Sequence, residues 1–192
     1  MVNKDSYSQA LSELLTYDVG RNAYFDVTFP KLPTIVKLPA IAPYKGKTSQ
    51  LSYLCHSAEL PGEYTTTVDQ KIYGVVERFP IMTTYKDITL SFYTRGSDVD
   101  YVRMLFSHWI TASTGRNVDN ASIRTYNVPY KADITTDLTI NQYSVDGSRL
   151  LRCELIEAFP ISIMEVPLSW SLANEAMSLN ITFTYTEYQY ID

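Results

Sequence analysis

The chain has 192 residues, 45% of them hydrophobic, which suits one globular domain whose core needs no staples. A formal net charge of −5 at pH 7 excludes a broad basic face that would sequester nucleic acid, although like charge would let nucleic acid pass without sticking. The two cysteines, Cys55 and Cys153, come with no CxxC and no Cys/His cluster, which argues against structural zinc and favours two buried free thiols over a pair.

The segment Met1–Ser6 lacks an apolar signal core, and no apolar run approaches the roughly 20 residues needed to span a membrane. The expectation is a soluble protein made in a cytoplasm. Residues 6–16 carry a weak helical stripe at Leu11, Leu14 and Leu15, within an N-terminal arm over 1–20. Tyr24–Phe29 alternates as a strand that Pro30 ends. Residues 30–50 hold Pro30, Pro33, Pro39 and Pro43 and read as a loop or arm, with room for a short strand at Ile35–Leu38. Leu51–Glu59 reads as a strand broken by Pro61-Gly62.

The stretch Gly62, Glu63, Tyr64, Thr65, Thr66, Thr67, Val68, Asp69, Gln70, Lys71 is polar and reads as a loop. Ile72–Phe79 follows as a strand ended by Pro80. In Asp87–Thr94, Ile88, Leu90 and Phe92 face one way while Thr89, Ser91 and Tyr93 face the other. The period then changes. Ser97 caps a helix over about 98–114, in which Val102, Leu105, Phe106 and Trp109 recur at helical spacing and Gly115 is a natural stop.

Residues 115–131 are polar and irregular. Strands return at Asp133–Ser144 and Arg149–Ala158, joined by an Asp146-Gly147 turn expected to be type I′. Pro160 through Pro167 reads as a break, Leu168–Leu172 as a short strand and Asn174–Ala176 as a turn. Ser178–Tyr190 is the last strand, with Leu179, Ile181, Phe183 and Tyr185 on one face. Antiparallel hairpins without βαβ alternation predict a mainly β chain: an antiparallel sandwich or partly open barrel with one helix and extended loops, as a single domain over 1–192.

Catalytic chemistry is hard to find. His56 and His108 are the only histidines. Cys55 and His56 are adjacent on a strand and point to opposite faces, so they make a poor nucleophile–base pair. No GxSxG, HExxH, P-loop or GxGxxG occurs. The reading is a non-enzyme with no cofactor and no metal.

Collinear segments carry a family resemblance. Asp18-Val19-Gly20-Arg21-Asn22-Ala23-Tyr24-Phe25-Asp26-Val27-Thr28-Phe29, Cys55 through Leu60-Pro61-Gly62, Tyr73-Gly74 through Phe92, a helix ending in Phe106 and Trp109, and the closing strands with Asp146-Gly147, Phe159-Pro160 and Leu179-Asn180-Ile181-Thr182-Phe183-Thr184-Tyr185 together resemble the tail tube proteins of T4-like contractile-tailed bacteriophages, in the tail tube/Hcp-like superfamily. Residues 30–50 and 115–131 are longer than that pattern.

The resemblance implies a structural virion protein. Subunits would form hexameric rings that stack into the inner tube of a contractile tail. Its partners would be the tail sheath protein, a baseplate or tube-initiator ring, a tape-measure protein and DNA that passes unbound. The loop Gly62–Lys71 would reach the adjacent ring. Because they sit on strands of mixed polarity, Asp133, Asp137, Glu154 and Glu157 are expected to include acids facing the bore. Alternatives are a tube-like baseplate ring, an injection-system tube and, from another class, a β-sandwich carbohydrate-binding module using its abundant tyrosines.

Overall fold

The computed structural model describes residues 24–33, 36, 49–71, 73–94, 101–115, 129–169 and 176–191. The expected helix at 6–16, the arm over 1–20 and the cap at Ser97 lie outside the described residues, as do most of 30–50 and 115–131.

In chain order the elements are β1 (Phe25–Thr28), α1 (Ser49–Leu54), β2 (Cys55–Ala58), β3 (Glu63–Gln70), β4 (Glu77–Tyr85), β5 (Ile88–Tyr93), α2 (Tyr101–Ser113), α3 (Lys131–Ile134), β6 (Thr136–Tyr143), β7 (Arg149–Ile163), β8 (Ser178–Thr184) and β9 (Glu187–Tyr190). Seven strands form one antiparallel sheet in the order β1-β6-β7-β8-β5-β2, with β9 also on β7. The end strands β1 and β2 approach each other without pairing, so the sheet curls toward a barrel that stays open. The mainly β, antiparallel fold with few helices is the one the sequence predicts.

Strand β7 organises the fold. Its first part pairs with β6 on one edge and β9 on the other, and its last part pairs with β8. The direction changes at Glu157, which has a left-handed φ of 54°. Pro160 does not end the strand. It sits buried beside a bulge at residue 161, opposite Phe183, where an irregular ladder tolerates the missing N–H.

The core lies inside the curl. Ile88, Leu90 and Phe92 of β5 and Leu179, Ile181 and Phe183 of β8 alternate into it. From α2 come Tyr101, Val102, Leu105, Phe106 and Trp109, the stripe that helical periodicity picked out. Phe106 meets Phe183 edge to face at 5.6 Å, and Phe29 sits 6.1–6.4 Å from Phe92, Phe106 and Phe183. Trp109 donates its indole N–H to the carbonyl of Ile134 at 2.7 Å, tying α2 to α3.

Four local readings change. Ser49–Leu54 forms a short helix that takes up the first residues of the strand expected over Leu51–Glu59, burying Leu51 beside β1 before β2 begins. Lys131–Ile134 is likewise a helical turn, and the strand starts at Thr136. The polar stretch Gly62–Lys71 is mostly strand β3, paired along its length with β4, which runs through Pro80. The Asp-Gly turn is not type I′. Asp146 keeps a negative φ and only Gly147, at 85°, is left-handed. Gly147 N–H reaches Ser144 O at 3.1 Å and Ser144 N–H reaches Ser148 O at 2.8 Å, the pattern of a type I turn with a glycine bulge. Asp146 Oδ1 stabilises it by accepting from the Ser148 N–H and hydroxyl at 2.9 and 2.6 Å.

Candidate functional site

Three surfaces differ in chemistry: the β3–β4 hairpin, the open face of the β1-β6-β7-β9 half-sheet, and the open face of the β7-β8-β5-β2 half-sheet.

The hairpin leaves the body as a separate two-stranded sheet whose strand residues are exposed from Glu63 to Thr84. Directly paired residues share a face. One face carries the pairs Tyr64–Thr84, Thr66–Met82 and Val68–Phe79, with the polar pair Gln70–Glu77 at its far end. The other carries Thr65–Thr83, Thr67–Pro80 and Asp69–Arg78, the last an ion pair at 3.2 Å. Ile81 is the extra residue of a bulge. At the tip Tyr73 is 99% exposed and Val75 89%. The hairpin is therefore amphipathic, with an apolar face that nothing in the described chain covers. A lone two-stranded ribbon is marginal in water, so such a face calls for a partner.

Of the four sequence-nominated acids, Asp137 alternates onto the same outer face of β6 as Thr139, the row of Glu154, whereas Asp133 comes from a separate helical turn. Asp133 lies in α3 and is exposed. Glu154 lies on the open face of the first half-sheet in a row with Thr139 and Gln189, whose amide donates to it at 3.0 Å. Asp137 and Glu157 meet at the bend of β7, where the Glu157 N–H donates to Asp137 Oδ1 at 3.1 Å. Lys131 Nζ donates to Glu157 Oε2 at 2.5 Å and to Thr186 Oγ1 at 2.6 Å, and the Thr186 hydroxyl donates to Glu157 Oε2 at 2.7 Å. The Lys131 hydrogen bond, then that of Thr186, hold the Glu157 carboxyl below its usual range. These two acids fasten a corner.

The open face of the second half-sheet was not singled out by its sequence. Register sets Ser57, Ser91 and Asn180 in one row and Thr89, Thr182 and Ser162 in the next. Neither row carries a charge between these positions. Glu59 stands at the margin, and its carboxylate accepts the Thr89 N–H at 2.8 Å. At the other end His56 stacks on Tyr93 at 4.0 Å and shares a 2.8 Å hydrogen bond with Ser178 Oγ.

Cys55 is engaged elsewhere, its thiol donating to Ser57 O at 3.4 Å, and burial pushes it up to about 12. Burial also pushes Cys153 up to about 11. Neither is an activated nucleophile. The two thiols are not bonded to each other. Tyr188 and Tyr190 meet edge to face at 5.4 Å and 73°, a poor flat platform for a sugar ring. Among the described residues, no group of His, Cys, Asp and Glu could hold a metal ion, and no helix is long and apolar enough to cross a membrane.

The family model of phage tail tube proteins matches residues 21–191. The chain belongs to the phage tail tube protein family. This tail tube chain also shares its fold with proteins of contractile injection machines. A chain in the cryo-EM structure of the anti-feeding prophage (AFP) baseplate, 6-fold symmetrised, superposes with a TM-score of 0.61 at 9% identity, covering 91% of this chain and 97% of that one. A chain in the AFP tube-terminating cap gives 0.59 at 17%, covering 91% and 92%. A chain in the sheath–tube complex of an extracellular contractile injection system (PVC) in its extended state gives 0.57 at 16%, covering 94% and 96%. No curated protein sequence matches the tail tube chain.

Proposed function

We propose that the chain is the structural subunit of the inner tube of a contractile phage tail, stacking as hexameric rings around a bore through which DNA is ejected, and that it catalyses nothing. The observation that carries this reading is the amphipathic β3–β4 hairpin, whose face of Tyr64, Val68, Phe79 and Met82 has no partner in the described chain. A hairpin of this kind suits a head-to-tail contact, in which one patch meets a different patch on the next copy and the assembly propagates as a filament. The residues Gly62–Lys71 would then be an inter-ring contact as one strand of a hairpin, with Tyr64 and Val68 as its anchors.

Among the described residues the edges at β1 and β2 are unpaired, which fits the same reading. A ring would pair or cover these edges and remove the exposed backbone that otherwise invites aggregation. Structures of like fold come from a six-fold symmetrised baseplate, a sheath–tube complex and a tube-terminating cap, which supports a hexameric tube with a sheath outside and an initiating ring below; a tape-measure protein within is part of the same proposal. The tail of a virion is the location this implies. The second reading, a tube-like baseplate ring, is favoured by the baseplate chain of like fold.

Negative-stain electron microscopy of the purified full chain at rising concentration tests the proposal. Hollow rods or stacked rings are expected from a tube subunit. Single rings that never stack favour the baseplate reading, and monomers at every concentration, with or without an initiating ring, reject both.

A further inference from the structure

We infer that the open face of the β2–β5–β8–β7 half-sheet is the wall of the bore, and that duplex DNA in transit meets a neutral, hydroxyl-bearing wall there and not an acidic one. The inference rests on the tube reading above and adds to it which surface faces the cargo.

The rows Ser57–Ser91–Asn180 and Thr89–Thr182–Ser162 each cross three strands without a charged side chain, with Met164 beyond Asn180 and Glu59 beyond Thr89. Elsewhere the surface is ordinary. Charged residues are 19% of the chain, the hairpin carries Glu63, Asp69, Glu77 and Arg78, and the other half-sheet face carries Asp26, Arg152 and Glu154. The nearby acids Glu59 and Asp87 sit at one margin of the field, outside β2 and β5.

Its six central positions also lack what a covered protein interface needs, the nearest such side chains being Met164 and Tyr93 at the ends of the field. Interface cores concentrate aromatic residues, methionine and arginine, and their binding energy comes from such anchors. The hairpin has anchors of that kind; the six central positions of this face have none. A surface with neither charge nor apolar anchors is suited to staying wet.

For a polyanion this chemistry is permissive in both directions. Lysine or arginine would bind phosphates and release counterions, holding DNA in place. A dense acidic lining would raise a repulsive barrier to entry. Hydroxyls and an amide bind water, so DNA moves past a hydrated wall with no fixed charge to escape from.

The test is a cryo-EM reconstruction of tubes assembled from the full chain, joined to a charge-insertion variant. Ser91, Asn180 and Thr182 are expected on the lumen surface. The double variant Ser91→Lys/Thr182→Lys should form tubes that retain short duplex DNA through nuclease digestion at low salt, where wild-type tubes retain none. Ser57→Lys, at an exposed position, serves if the double variant fails to assemble. Tubes in which this face lies outside or under a neighbouring subunit, or lysine variants that hold no more DNA than wild type, overturn the inference and leave the tube reading standing. Failure of the wild-type chain to form any ring or tube overturns both.

Discussion

Lys131 Nζ lies 2.5 Å from Glu157 Oε2, and Glu157 is the one described non-glycine residue with a left-handed φ, 54°. The bend of β7 thus combines a costly backbone with a side-chain clamp from a different element. A left-handed backbone costs a residue with a Cβ roughly 1–2 kcal/mol, and glycine escapes that cost. Both Glu157→Ala and Glu157→Gly lose the clamp, but only alanine keeps the strain. Glycine should therefore be the more stable of the two by about 1 kcal/mol, read as a higher Tm in thermal unfolding. Equal Tm values would mean the bend relaxes when the carboxylate is gone.

The same clamp makes stability pH-dependent. The Lys131 and Thr186 hydrogen bonds lower the Glu157 pKa in the folded chain, so the unfolded chain holds this proton more tightly. The contribution is fully present above the ordinary glutamate value of about 4.3 and is lost as pH falls through the lower folded value. Asp146, lowered by the Ser148 hydroxyl and N–H, adds a term of the same sign. Urea unfolding between about pH 5 and pH 2 should show stability falling with acidification. Glu157→Gln should flatten part of that slope, and Asp146→Asn part of what remains. A Glu157→Gln slope identical to wild type would show that Lys131 does not prefer the charged form.

Trp109 gives a third prediction. Its ring is buried against Phe106 and Phe183, and its N–H is given to Ile134 O at 2.7 Å. Trp109→Phe keeps an aromatic ring but leaves that carbonyl without its donor, at a cost of about 1–3 kcal/mol. Trp109→Ala adds a cavity and should cost about 3–5 kcal/mol. Chemical denaturation of the two variants separates hydrogen bond from packing. Equal losses would place the whole cost in the lost hydrogen bond, whereas a Trp109→Phe variant as stable as wild type would mean the indole N–H contributes nothing.

Periodicity made the core legible. Ile88, Leu90 and Phe92, the α2 stripe and the β8 alternation are buried as the pattern requires, because the hydrophobic effect acts on period alone. Prolines misled in two places, since Pro80 and Pro160 both sit at bulges, where a missing N–H is tolerated and which no local signal marks. The hairpin was hidden by composition. Thr65, Thr66 and Thr67 read as polar loop, yet threonine favours strands when a partner strand is available, and that partner is set by register with β4. The hydroxyl field was hidden for a related reason. Its residues come from four strands distant in sequence, and only pairing assembles them.

The hairpin supplies the last prediction. Val68 and Phe79 form a directly opposed pair on its apolar face, and both are about half exposed in the described chain. A charge there is solvated in the free subunit and should leave its Tm within about a degree of wild type, because exposed substitutions away from special features change stability little. In a stacked assembly the same charge would be buried without a partner, which is costly. Val68→Glu or Phe79→Glu should therefore leave a folded subunit that no longer forms rods. Thr65→Glu, on the polar face of the same strand, serves as the control and should assemble. Sedimentation and negative-stain imaging read assembly, and circular dichroism reads the fold. Rods from Val68→Glu and Phe79→Glu as abundant as wild type would remove the hairpin's apolar face from the inter-ring contact. Loss of rods in the Thr65→Glu control as well would show that both faces of the hairpin are enclosed.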